Sequence, residues 1–396
     1  WLGARRACRA VDRVDQKRLL DYARRAADQA FAICAWHDAA HFYEAATRAT
    51  DVQTPAELAE LHFRAGIAAN RDANRESCRR HYEKSAELFA RIGDDAGRAR
   101  VGMLLLRDEI TSAGAAYGQP VDRSALMELA MKLSDAQPAL GALILETLSE
   151  ACWTAGDSAR AEAYAERALG MGRRIDDDAV CRQAAMGLAL ARFSLMKVRD
   201  AIEGWRDELA RGRRARDTWL ASAACTRIPL GLLHLGRVDE AAETAREAER
   251  LARGAQNLMD LSLVLSQQAC LNLARGDFAA VESTSRAALL ATQRSRYPWG
   301  GPLIVGARAC AAAHRGAWDE ADLAVEALVT RGAIFDAPAP LMQFVVAAYR
   351  ELIAALRDPA SVDRPRLGNL LKLVLAAGGD IHLLAPLCAL AEAALR

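Results

Sequence analysis

The stretch HLGRVDEAAETAREA, His234 to Ala248, returns forty residues later as LARGDFAAVESTSRAAL and forty after that as AHRGAWDEADLAVEAL. With the small residue after the turn as a marker, the series runs Ala161, Ala201, Ala241, Val281 and Ala321, forty apart each time. Four residues on stand Ala165, Trp205, Ala245, Ser285 and Val325; seven on stand Ala168, Glu208, Ala248, Ala288 and Leu328. Offsets of four and seven trace one stripe of an α-helix, and a stripe of small side chains marks where a second helix packs closely. No other feature constrains the fold so tightly. A unit of this size cannot bury its apolar face alone, so its neighbours must stack on it.

Each period has the same grammar. Three residues before each marker stands Ser158, Val198, Val238, Phe278 or Trp318, mostly larger groups that plug the helical hairpin. Before four of them lies a turn glycine, Gly156, Gly236, Gly276 or Gly316, able to end the preceding helix with positive φ; the fifth turn, SLMKVRDA, has none. Upstream are amphipathic runs such as LGALILETLSEACWTA and LSLVLSQQACLNLA. Every period therefore reads as helix, tight turn, helix. The short turns make the two helices antiparallel neighbours.

The N-terminal part keeps the grammar more loosely. Ala39, Tyr43 and Ala46 follow the plug Trp36, and Cys78, Tyr82 and Ser85 repeat the stripe thirty-nine residues on. A third unit is expected over AGRARVGMLLLRDEI and RSALMELAMKLSD, joined by TSAGAAYGQPVD. The predicted fold is all-α: a right-handed superhelical solenoid of about eight helix-turn-helix repeats. As a single solenoid over 1–396 it divides into a connecting helix at 1–17, looser repeats 1–3 at 18–135, regular repeats 4–8 at 138–333 and closing helices at 337–396.

The small–aromatic–small pattern of Ala39, Tyr43 and Ala46, and the stripe of Ala161, Ala165 and Ala168, resemble tetratricopeptide-like repeats over nearly the whole chain. The period of forty, longer than the usual tetratricopeptide length, is similar to the MalT-like sensor halves of large bacterial signalling ATPases. The segment LAELHFRAGIAANRDANRESCRRHYEKSAELFARIGDDAGRARVGMLL, with AAYGQPVD, is similar to the region C-terminal to the ATPase module in class III adenylate or guanylate cyclase-type multidomain proteins. The resemblance implies a non-enzymatic, cytoplasmic sensor or scaffold that holds a protein partner or small effector. It implies too an adjacent ATPase or output domain in a longer parent chain, such as a LuxR/MalT-like regulator. A free-standing scaffold gripping a partner's helix or tail is the alternative. A chain that starts at Trp1 and stops inside LCALAEAALR reads as a piece of that longer polypeptide.

Composition narrows the chemistry. A net charge of +1 creates no global field toward nucleic acid or anionic membrane, so neither is an expected partner. No apolar run approaches the roughly 20 residues that cross a bilayer. Nine cysteines are scattered singly without the spacing of a zinc site, so they read as small, reduced core residues. There is no phosphate-binding G-x-x-x-x-G-K-[ST] loop and no recurring Ser/His/Asp or Cys/His set. No catalytic residue, metal ligand or cofactor is expected. His37 and His41 share a helix face but lack a third ligand.

Three groups remain as candidate binding residues. Second-helix exits carry Arg173 and Arg174, Arg213 and Arg214, Arg253, then Arg294. Such a ladder either complements the helix C-terminal dipoles or collects anions along one edge. Near two exits stand Trp219 and the loop of Arg296, Tyr297 and Trp299, suited to cation–π recognition or to interlocking adjacent hairpins. The third group is the first-helix face: Phe63, Ile67, Glu146, Glu150, Trp153, Met186, Leu190, Phe193, Thr226, Leu230, His234, Cys270, Leu273 and His314. Apolar with a few polar groups, this face is either a ligand groove or a surface closed by tight coiling.

Overall fold

The computed structural model describes residues 2–112, 136–295, 300–330 and 339–358, with isolated positions at 128–132 and 360–372. Among the described residues every regular element is helical. The second helix of the third unit and the closing helices beyond 358 lie mostly outside them. The chain divides into two compact units, Trp1–Asp108 with Ala255–Asn257, and Glu109–Gly254 with Leu258–Arg396.

In unit 1, α1 runs unbroken over Leu2–Ala32, followed by α2 (Trp36–Thr47), α3 (Pro55–Arg71), α4 (Arg75–Arg91) and α5 (Asp95–Ser112). Thr54 and Glu57 cap α3 reciprocally, with Pro55 supplying a preset φ at the first position. The Asn74 side chain accepts from Ser77 N at 3.1 Å to start α4. One core joins Ala23, Ala27 and Ala30 of α1 with Ala39, Tyr43 and Ala46 of α2 and Leu61, Ala65 and Ala68 of α3. The next joins Ala59 and Phe63 to Cys78, Tyr82, Leu88 and Phe89. Tyr82 fits because it faces Gly66, where an added Cβ would collide with its ring.

In unit 2 the helices follow in pairs: α6 (Pro138–Thr154) and α7 (Ser158–Arg174), α8 (Asp178–Ser194) and α9 (Val198–Ala215), α10–α11 (Thr218–Cys225, Ile228–His234) and α12 (Val238–Gly254). Then come α13 (Leu258–Ala274) and α14 (Phe278–Ser295), α15 (Gly300–His314) and α16 (Trp318–Thr330), and α17 (Ala339–Arg357). Packing runs between consecutive helices and between successive first helices. The stripe is the seam: Ala161, Ala201, Ala241, Val281 and Ala321 are all buried, as are Ala165, Trp205, Ala245, Ser285 and Val325. A second recurrence, at Gly172 and Gly212, lets the following first helix approach closely. A Cβ on Gly212 would stand 2.8 Å from Ala221 N.

The turns show why glycine recurs. At Gly156, φ is +81° and the next amide, Asp157 N, reaches back to Cys152 O at 2.8 Å. That is the helix stop in which a left-handed residue lets two amides satisfy the orphan carbonyls. In the turn without glycine, Met196 takes φ +61°, and Lys197 N bonds Arg192 O at 2.9 Å. The backbone keeps its form with a side chain that disfavours it.

One first helix is broken. Pro229, in the first turn of α11, has no N–H to give the preceding turn, and α10 stops at Cys225. Beneath the break lies the fully buried carboxylate of Asp260, which accepts from Ser222 Oγ at 2.9 Å and stands 3.7 Å from Arg227 Nη1.

Candidate functional site

Unit 2 carries the first-helix face. Trp153 on α6 is half-buried, and its Nε1–H donates to Ser194 Oγ of α8 at 2.9 Å, which fixes the orientation of the indole. Met186, Leu190 and Leu233 are likewise half-buried and, with Trp153, pack on a core that contains Phe193, Trp205 and Leu230. Phe193 itself lies inside that core. It meets His234 edge-on at 4.7 Å between ring centroids. His234 Nδ1 lies 3.1 Å from Leu230 O, so that nitrogen carries the hydrogen and donates it. Burial pulls the His234 pKa below the ordinary imidazole value, against the pull of that backbone bond. His314 stacks parallel on Phe278 at 5.7 Å. Gln183 Nε2 donates to Glu146 Oε1 at 3.2 Å and ties α8 to α6 on the same face. Thr226 and Leu230 are buried, Cys270 and Leu273 half-buried.

The exit arginines are a different surface. Arg173, Arg174, Arg213, Arg214, Arg253 and Arg294 are all exposed. Arg213 is committed to Glu247 of α12 and Arg253 to Glu249 of its own helix. Trp219 is half-buried at the start of α10. Arg296, Tyr297 and Trp299 lie outside the described residues. Phe193 and His234 are thus brought together, while Arg213 and His314 each find other partners.

Unit 1 holds a cleft that no repeat position announces. It is an open depression of about 480 Å³, lined by Glu44 and Thr47 of α2, Arg48 at the cap of that helix, His62 of α3, and Arg80, His81, Glu83, Lys84 and Glu87 of α4. In it, His62 Nδ1 and His81 Nδ1 are 2.9 Å apart, so one carries a hydrogen and the other accepts it. Desolvation, with Coulombic pressure from His81, Lys84 and Arg80, pulls the His62 pKa down to about 4. Desolvation and Arg80 lower that of His81, with Glu44 pulling the other way. Sequence reading missed this pair because neither histidine sits on a repeating position.

His37 and His41, the pair weighed for metal, are both exposed, and His37 Nδ1 lies 3.1 Å from Asp72 Oδ2. Among the described residues no three His, Cys, Asp or Glu side chains gather in a way that holds a metal. The described thiols are packing groups: burial raises the Cys181 pKa and pushes that of Cys225 up to about 12, far from nucleophilic. No helix among the described residues is long and apolar enough to cross a membrane.

No protein-family model matches this chain. No curated protein sequence matches it either. Solved structures do. A crystal structure of a Rap protein complexed with competence and sporulation factor superposes with a TM-score of 0.58 at 11% identity, over 84% of this chain and 94% of that one. Aspartyl phosphate phosphatase F from Bacillus subtilis superposes with a TM-score of 0.50 at 12% identity, over 75% and 76%. At such identities the likeness concerns architecture alone, and with the paired helices it establishes an all-α solenoid of tetratricopeptide-like repeats.

Proposed function

We infer that this chain is a binding solenoid without chemistry of its own, and that unit 2 holds a partner protein's helix or extended tail along its first helices. The observation that carries this reading is the row of Trp153, Met186, Leu190 and Leu233, seated on the core yet left half-exposed on successive first helices. Apolar anchors with a few fixed polar neighbours, here Glu146 with Gln183 and the Trp153 indole, are what grooves for peptide segments offer. A structural neighbour of the same architecture was crystallised with a bound factor. His234, next to Leu233 on α11, borders the row, and His314 lies two repeats further on α15; Arg213, Arg214, Trp219 and Arg294 belong to the separate basic exit edge, a second candidate contact surface.

The test is selection from a random-peptide display library against the full chain. Selected peptides are expected to lose about tenfold in affinity on Trp153→Ala combined with Leu190→Ala, the loss of an aromatic anchor. Unchanged affinity with helicity retained rejects the groove.

The forty-residue period favours a finer reading: a cytoplasmic sensor region in a bacterial multidomain regulator, where a bound partner or small effector adjusts a neighbouring ATPase or output domain. The flanking reading frame decides it. An upstream P-loop module supports the sensor, and an isolated frame supports the free-standing scaffold.

A further inference from the structure

We propose that the outer side of α1 docks an acidic amphipathic helix of a partner protein, with Leu19, Tyr22 and Ile33 as apolar contacts and Arg18 and Arg25 as the residues that select its charge. One side of α1 is already used: Ala23, Ala27 and Ala30 are buried in the core shared with α2 and α3. Another is open. Leu19, Tyr22 and, in the turn after the helix, Ile33 are 50%, 71% and 74% exposed.

Spacing supplies the class of occupant. With Ala26 and Gln29 between them, these residues recur at alternating steps of three and four, the a and d positions of a helix that packs on a second helix. Asp15, at the d position one heptad before Tyr22, ends the row. From Leu19 to Ile33 it runs about 21 Å, the length of a partner helix of about four turns. In this register Arg18 and Arg25 both fall at g, the flanking position whose charge chooses the partner. Both are exposed, and neither has an ion-pair partner among the described residues. The acids of α1 do not answer them. Asp28 accepts from Tyr43 Oη at 2.6 Å and from Arg64 Nη1 at 3.2 Å, and Asp21 shares its c position, off the row. A helix that lies along the row with carboxylates seven residues apart completes both the apolar and the charged contacts.

The same register argues against a second copy of α1 as the occupant. Antiparallel pairing about a two-fold axis sets g against g, so Arg18 and Arg25 meet their own copies. Parallel pairing sets g against e, and the e positions, Ala23 and Ala30, are buried alanines that offer no carboxylate. A lipid surface fits less well than a helix. Lys17 and Arg24 stand at f, on the far side of α1 from the row, so only two cations share its side. The row itself is one side chain wide, as a helix seam is, with the small Ala26 at its centre.

The experiment titrates the full chain into two fluorescently labelled synthetic helical peptides of about three heptads, alike in their leucine a and d positions, one with glutamate and one with lysine at every e and g. The acidic peptide is expected to bind with a Kd below about 100 μM and at least tenfold more tightly than the basic one. Tyr22→Ser should weaken it about tenfold, and the Arg18→Glu, Arg25→Glu double variant should reverse the preference. Trp153→Ala with Leu190→Ala, in unit 2, should leave it unchanged, which separates this surface from the peptide groove. Equal affinity for the two peptides, or a double variant that keeps its helicity and its preference for acid, overturns the proposal. Two further measurements can overturn it. If the chain is a dimer that Tyr22→Ser dissociates, the row belongs to a second copy; if it binds vesicles of phosphatidylcholine and phosphatidylserine and Tyr22→Ser abolishes this, the row belongs to lipid.

Discussion

The ring of Tyr82 on α4 lies across Gly66 on α3, in the space a side chain would need. The same relation holds between Tyr349 and Gly306, and Gly231 makes room for Ile202 beside Trp205. Gly66→Ala therefore forces Tyr82 from its place in a close-packed interior. The expected cost is about 1 to 3 kcal/mol, read as a lower urea midpoint with an unchanged slope. A midpoint equal to that of the unaltered chain contradicts this packing.

At the turn without glycine, Met196 holds a left-handed backbone while its side chain is 57% exposed. Replacing it loses little packing and relieves the clash of Cβ with the neighbouring carbonyl. Met196→Gly should raise stability by about 1 kcal/mol, the strain of a side chain in that region less the added freedom of the unfolded glycine. Thermal unfolding checks it, and a lowered midpoint would show that Met196 contributes contacts that the turn geometry does not account for.

Acid should act through His62. Its folded pKa of about 4 is below the ordinary 6.5, so in that window the unfolded chain binds the proton more tightly. Stability contributed by the neutral pair is present above pH 6.5 and is lost as pH falls toward 4. His62→Gln should flatten that slope. Stability measured from pH 7 down to 4.5 in both chains gives the comparison, and equal slopes would remove His62 as the cause.

Glu208 has the opposite sign. It occupies a seam position held by alanine in neighbouring repeats, is 2% exposed, and its Oε2 has no hydrogen-bond partner. Burial raises its pKa, against Arg211. The folded state therefore holds the proton more tightly, and stability falls as pH rises from 4.5 through the folded value. Glu208→Gln removes the buried charge and should gain about 1 kcal/mol at pH 8, with no gain at pH 4. A gain that is the same at both pH values would point to shape and not to charge.

The paired helices, the seam and four of the turns were legible because each depends on local periodicity that forty-residue repetition makes visible. The compensations were not. Trp205 occupies a seam position held by alanine in the two neighbouring repeats, and Gly231, on the following first helix, makes room for Ile202 beside it, so no comparison of equivalent positions reveals the exchange. The α10–α11 break turns on Pro229, inside a run whose apolar pattern continues undisturbed. The first-helix face from Trp153 to His234 was read from the period alone, and the period does not tell which of its members are buried, as Phe193 is. The His62–His81 contact joins two helices through residues with no periodic signature, and only backbone placement brings them within 2.9 Å.

The seam of unit 2 is built largely from alanine and glycine, side chains with no rotamers to yield. Backbones that touch through such groups have no cushion between them. A small shift of one helical pair is handed on to the next almost undiminished, as along a closely wound spring. Flexible leucines or methionines in those places would absorb it. What this geometry favours is close gearing, in which one pair of unit 2 can shift only if the pair beside it shifts too.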